Sequence, residues 1–181
     1  MTDTLLSTRD LEFQLYEVLG VESLCERERF AEHSRETFDA ALETARRIAT
    51  DLFAPHNREG DEKEPRFDGE RVHLVDGMKA AIDAFGEAGF LRTPDDFEDG
   101  GMQLPHVVTQ ACFAHFQSAN ISTSAYPFLT IAAANLLRVF VSEEQKARYL
   151  EPMLEGRFFG TMVLTEPHAG SSLGDLRTSA E

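Results

Sequence analysis

Lysine and arginine are scarce in this sequence: 17 against 32 aspartates and glutamates, a formal net charge of −15. Phosphate backbones are bound through clustered Lys and Arg, so this balance excludes a nucleic-acid partner. It equally opposes an anionic membrane surface. An anionic ligand must be met by local backbone N–H groups or a few placed arginines, against the field of the whole chain. Cysteine is limited to Cys25 and Cys112, too few for a disulfide framework. Cys112 lies in an apolar run and reads as a small buried hydrophobe. His115 shares its helix without further ligands, so no metal site is expected. No apolar run reaches membrane-spanning length. The most apolar stretch, 126–141, is too short and contains Asn135 and Arg138, so it reads as a core helix. Residues 1–10 carry no secretory pattern, and repeats and low-complexity tracts are missing. A cytoplasmic globular protein is the expectation.

Hydrophobic residues make up 42% of the 181-residue chain, an ordinary share for a globular protein. A chain of this length buries roughly 70% of its unfolded surface. Most of it reads at helical period. Leu11, Leu15, Val18 and Leu19 share one face, with Ser7 and Asp10 suited to cap the start and Gly20 to stop the helix. Phe38, Ala41, Leu42, Ala45, Ala49, Leu52 and Phe53 form a cleaner stripe that Pro55 should end. Residues 56–70 read as a solvated loop. Met78, Ala81, Ile82 and Phe85 make a third stripe, stopping near Gly89, and 93–105 reads as another loop.

Two segments, 106–119 and 127–140, are apolar on most faces and so need cover all round. Both are expected at the centre of a bundle, with Leu136 buried. Ser142-Glu143-Glu144-Gln145 is a capping box for a helix carrying Ala147, Leu150, Met153 and Leu154, closed by Gly156. The period then changes. Phe158, Phe159, Thr161, Met162, Val163 and Thr165 form the one convincing strand. A single strand cannot satisfy its own backbone, so it calls for sheet partners that this chain does not contain. The fold class is mainly α: an N-terminal extension over 1–35, a helical domain over 36–156, and the start of a β-domain over 157–181.

The chemically informative stretch runs from Met162 to Ser172. A strand ends at the Thr165 hydroxyl, Pro167 fixes a turn, and Ala169-Gly170-Ser171 exposes backbone amides. Glycine lets a ligand approach the backbone, and successive N–H groups form an anion-binding concavity. Such a segment suits a flat polar ring near the strand end and a phosphate near the glycine. It also suits an ordinary tight turn, and the residues alone favour that plainer account. Glu166 reads as a carboxylate accepting backbone N–H bonds, and His168 as a solvent-facing turn residue.

Leu164-Thr165-Glu166-Pro167 followed by Ala169-Gly170-Ser171 resembles the flavin-binding signature of the acyl-CoA dehydrogenase family. Leu173-Gly174 and Leu176-Arg177-Thr178 look like its continuation. Gly86, Gly89-Phe90, Gly100-Gly101, Leu104-Pro105 and the series from Glu143 to Gly156 match its helical landmarks. The resemblance covers residues 36–181. The extra N-terminal helix is similar to the longer bacterial subgroup that includes methylthiopropanoyl-CoA dehydrogenase-like enzymes.

The resemblance implies the family's N-terminal helical bundle, followed by the first strand and loop of its middle β-domain. It implies FAD as cofactor, bound by Met162, Val163, Leu164, Thr165, Gly170 and Ser171, with Ser171 also bordering the acyl-CoA substrate. It implies an electron-transfer acceptor as partner, and a homo-oligomer. The family reaction is α,β-dehydrogenation of an acyl-CoA thioester. Two positions depart from the pattern: His168 stands where a small residue is usual, and Ser172 replaces an aspartate. The family's catalytic glutamate belongs to a C-terminal helical region, and its aromatic flavin-packing element often carries tryptophan, which this sequence lacks. No catalytic residue is therefore assigned, and the chain alone is expected to be an inactive part of a longer enzyme. The alternative is a non-catalytic helical remnant or interaction module without flavin.

Overall fold

The computed structural model describes residues 5–179; the outer ends of the first and last spans, 1–4 and 180–181, lie outside the described residues. α1 (Thr8–Glu12) begins at Ser7, whose hydroxyl accepts the Asp10 N–H at 3.2 Å. It continues as a π-helical stretch, Phe13–Val18. Gly20 ends it in the left-handed region at φ 56°. Leu15 is buried and Leu11 half-buried, but Val18 and Leu19 face solvent. The expected stripe assumed 3.6 residues per turn, and the wider π turn carries its last members off that face. Short 3₁₀ segments, Val21–Glu26 and Glu28–Phe30, follow. Val21 joins Leu15 in the main core, so the N-terminal extension is packed as part of the bundle.

α2 (Arg35–Ile48) starts from a capping box between Ser34 and Thr37 and buries Phe38, Ala41, Leu42 and Ala45. Its continuation buries Ala49 and Phe53. Pro55 does not end the helical path. It sits in the first turn of a 3₁₀ segment, Ala54–His56, where proline's missing N–H costs no bond, and the chain runs on into α3 (Asn57–Glu62). The expected loop over 56–70 is thus partly helix. It also supplies half of a small antiparallel hairpin, β1 (Arg66–Phe67) with β2 (Val72–His73). Strands of two residues are too short to show alternation. The Asp68 carboxylate forms their turn by accepting the N–H groups of Glu70 and Arg71, both at 2.9 Å.

α4 (Met78–Glu87) buries Met78, Ala81, Ile82 and Phe85 as its stripe predicts, and Gly89 ends it at φ 84°. The following loop is tied down by charge. Asp95, with only 9% of its side chain exposed, pairs with Arg138 at 2.5 Å, while Arg92 reaches Glu151 at 2.6 Å. Burial raises the Asp95 carboxyl above its ordinary range despite the two arginines. Gly101 is obligatory here, because a Cβ would lie 2.2 Å from the Asp95 carbonyl oxygen.

α5 (His106–Ala119) is central as expected, burying Val108, Cys112, Phe113 and Phe116 among others. Burial pushes the Cys112 thiol up to about 12, which leaves it an inert apolar group. α6 (Ile121–Phe140) is not central. It buries Thr123, Ser124, Pro127, Thr130 and Ala134, while Leu136 is 57% exposed and Ile121, Phe128, Val139 and Phe140 also face outward. All-round apolarity says that a helix needs cover on every side, not that this span supplies it. α7 (Glu143–Gln145) carries the expected Ser142 box and runs through Lys146–Leu150 into α8 (Glu151–Leu154). Leu150 and Leu154 pack with Ala134 in a second, smaller cluster, and Gly156 closes the helix at φ 74°.

Candidate functional site

After Gly156 the chain crosses α6. The rings of Tyr126 and Phe159 meet edge-on at 6.0 Å. The buried Gly160 N–H donates to Thr130 Oγ1 at 3.1 Å. Residues 161–165 then leave the helical body. Met162 is 62% and Val163 93% exposed, Leu164 lies at 36%, and Thr165 is exposed. Among the described residues no hydrogen bond reaches the backbone of 161–165, and the one sheet is β1 with β2. The strand-like sequence is therefore an open edge, with its donors and acceptors free.

The edge ends in a tight turn. Glu166 N–H donates to the Ala169 carbonyl at 2.7 Å, and Ala169 N–H donates back at 3.3 Å, with Pro167 at the position that favours it. The turn brings Gly170 over Thr165: a Cβ on Gly170 would meet the Thr165 methyl at 3.6 Å and its hydroxyl at 3.7 Å. Thr165 and Gly170 are thus brought together, while Met162, Val163 and Leu164 line the open edge before them and the exposed Ser171 lies beyond. Gly170 is not among the left-handed glycines, so its role is not a backbone conformation closed to other residues. Ser172 precedes the 3₁₀ turn Leu173–Asp175 without a side-chain cap bond.

Glu166 turns inward and closes the loop. Its carboxylate accepts the Thr178 N–H at 2.8 Å, the Arg177 N–H at 3.0 Å and the Thr178 hydroxyl. The Thr178 hydroxyl, then the two amides, hold it below the ordinary glutamate range. The expectation of a carboxylate accepting N–H bonds is met, but no local signal pointed to Arg177 and Thr178 as the donors. His168 is a turn residue, 41% exposed, with Nε2 at 3.3 Å from Glu166 and 3.2 Å from the Asp175 carbonyl. A carboxylate whose folded pKa is lowered adds stability above its unfolded pKa, and loses it as pH falls through the folded value. The 166–178 loop should therefore stay closed at neutral pH and open in acid. Protection factors of the Arg177 and Thr178 amides, taken relative to their intrinsic exchange rates at each pH, should fall there ahead of those of the helical amides, and Glu166→Gln should flatten that dependence. Protection independent of pH in the native chain would refute the clasp.

Among the described residues no group of three or more His, Cys, Asp or Glu is placed to hold a metal, and no helix is long and apolar enough to cross a membrane. The arrangement is instead a row of exposed side chains and free backbone groups leading to a small, clasped turn.

The family model for the acyl-CoA dehydrogenase N-terminal domain matches residues 35–157. The chain is 40% identical to a 3-methylmercaptopropionyl-CoA dehydrogenase of Ruegeria pomeroyi over 78% of its length, and 34% identical to a broad-specificity linear acyl-CoA dehydrogenase of Mycobacterium tuberculosis over 96%. It spans about a quarter of the length of these curated relatives, 24% and 28% respectively. A chain solved in work on the electron transferring flavoprotein of Acidaminococcus fermentans and flavin-based electron bifurcation superposes with a TM-score of 0.64. The two are 26% identical, over 82% of this chain and 36% of that one. The helical order and the domain match lead to one conclusion: the chain belongs to the acyl-CoA dehydrogenase family.

Proposed function

We propose that this chain is part of an FAD-dependent acyl-CoA dehydrogenase, giving it the helical N-terminal domain over 36–156 and one wall of the flavin site from the span 157–181. The observation that carries the reading is the open edge 161–165 running into the clasped Glu166 turn. Free backbone N–H and C=O groups with an adjacent threonine hydroxyl match the polar rim of a flat heteroaromatic ring, and Met162 and Leu164 offer it apolar surface. FAD held there would supply the hydride acceptor for dehydrogenation of the thioester.

The chain's own residues orient and exclude. Thr165 would hydrogen-bond the ring edge. The amides at Gly170 and Ser171 would receive the pyrophosphate, local N–H groups acting against the acidic field of the whole chain. Ser171 would border the acyl-CoA. The uncovered face of α6, from Ile121 to Phe140, is where the remainder of a longer enzyme would pack. Removal of the substrate's α-proton needs a base within hydrogen-bond reach, and Glu166 at the end of this edge is spent on the loop.

Anaerobic addition of acyl-CoA thioesters tests the reading. The full-length, flavin-loaded protein should lose its visible flavin absorbance, and the 181-residue chain supplied with FAD should show no such loss. Reduction by the chain alone, with FAD bound in stoichiometric amount, would overturn it.

A further inference from the structure

The open edge leaves the helical domain directly after a buried contact between α6 and Gly160. Thr130 is 1% exposed on α6. Its hydroxyl donates to the Tyr126 carbonyl at 2.7 Å and accepts the Gly160 N–H at 3.1 Å. A helical threonine commonly bonds the carbonyl four residues back. Here its remaining acceptor capacity is used by a backbone amide 30 residues later. Gly160 lies flat on the helix. An added Cβ would stand 2.5 Å from Ala133 Cβ and 2.9 Å from the Leu129 carbonyl oxygen, distances that no side chain tolerates. Residues 161–165 beyond it are all exposed, and the next buried residue is Ala169.

We propose that Thr130 and Gly160 form a pivot that fixes where the 161–165 edge leaves the helical domain, making Thr130 a positioning residue for the flavin; this rests on the flavin-edge reading given above. Thr130 would touch neither ring nor substrate. It acts through the backbone. If the Gly160 amide shifts, residues 162–165 shift with it, because among the described residues no backbone hydrogen bond ties them to the helices. The pairing also explains why a threonine sits mid-helix on a buried face, and why the residue meeting it has no side chain.

The test compares native, Thr130→Val and Thr130→Ser forms of the full-length protein. Valine keeps the branched shape and removes the acceptor; serine restores it. In the flavin-free protein, Thr130→Val should speed amide exchange at Gly160 about tenfold, the effect of leaving a buried donor unpaired. FAD should bind Thr130→Val about tenfold more weakly, and its visible absorption bands should shift. The helical melt should stay near native. Thr130→Ser should recover both the exchange rate and the flavin signature, which a loss of general stability would not produce. Native FAD affinity and spectrum in Thr130→Val would overturn the pivot. If the native full-length protein itself bound no FAD, the flavin-edge reading would fall first, and this inference with it.

Discussion

Phe116→Ala should cost the fold about 3–5 kcal/mol, the range for removing a buried phenylalanine ring. That is a large share of the roughly 5–15 kcal/mol that holds a domain together. Phe116 is fully buried on α5. Its ring centroid lies 4.8 Å from Phe85, 5.0 Å from Phe53 and 5.1 Å from Phe90. These rings come from α4, from the run after α2 and from the turn after Gly89, so one side chain locks three other segments to the central helix. The contacts with Phe85 and Phe90 are edge-to-face, a geometry worth about 0.5–1.5 kcal/mol per pair beyond area burial. Leu136→Ala in the same 181-residue chain should change stability by no more than about 0.5 kcal/mol, as for a surface site, because Leu136 is 57% exposed. Urea melts of the two variants decide the matter. A small loss for Phe116→Ala, or a loss of several kcal/mol for Leu136→Ala, would put the core on α6 and contradict the arrangement described.

The contrast between these two helices shows what the sequence reveals and what it withholds. Period and capping locate α2, α4, α5 and the run from Ser142 to Gly156, because each stripe is satisfied inside the chain. α6 is equally apolar, but its outer face finds no cover here, and hydropathy cannot name the partner that covers a face. Pro55 marks a change of helix type and not an end, since proline is harmless in a first turn. Residues 161–165 show strand chemistry without strand pairing, because pairing depends on backbone that the span does not supply. Within the candidate site, the Leu-Thr-Glu-Pro and Ala-Gly-Ser segments single out Thr165, Gly170 and Ser171 for the proposed flavin contact, and the structure brings Thr165 and Gly170 together. The clasp from Glu166 to Arg177 and Thr178, and the Thr130–Gly160 contact, were not legible. Both are long-range bonds to backbone amides, which carry no residue code.

Gly170 gives the most direct test of the proposal that the edge and turn from Met162 to Ser171 form a wall of the flavin site. A Cβ at Gly170 makes only ordinary contact with Thr165, and its φ is open to any residue. Gly170→Val should therefore leave the protein folded while adding two methyl groups near the Thr165 side chain, where the proposed flavin would approach. Overfilling a close-packed site costs about 1–3 kcal/mol, or roughly 5- to 150-fold in affinity. Gly174→Val is the control, since nothing lies within 4 Å of its added Cβ and its φ is not left-handed. The measurement is an equilibrium FAD titration of the full-length protein in native, Gly170→Val and Gly174→Val forms, with far-ultraviolet circular dichroism to verify the fold. The account predicts FAD binding weakened roughly 5-fold or more in Gly170→Val, and native affinity in Gly174→Val. Native FAD affinity in a folded Gly170→Val protein would contradict it.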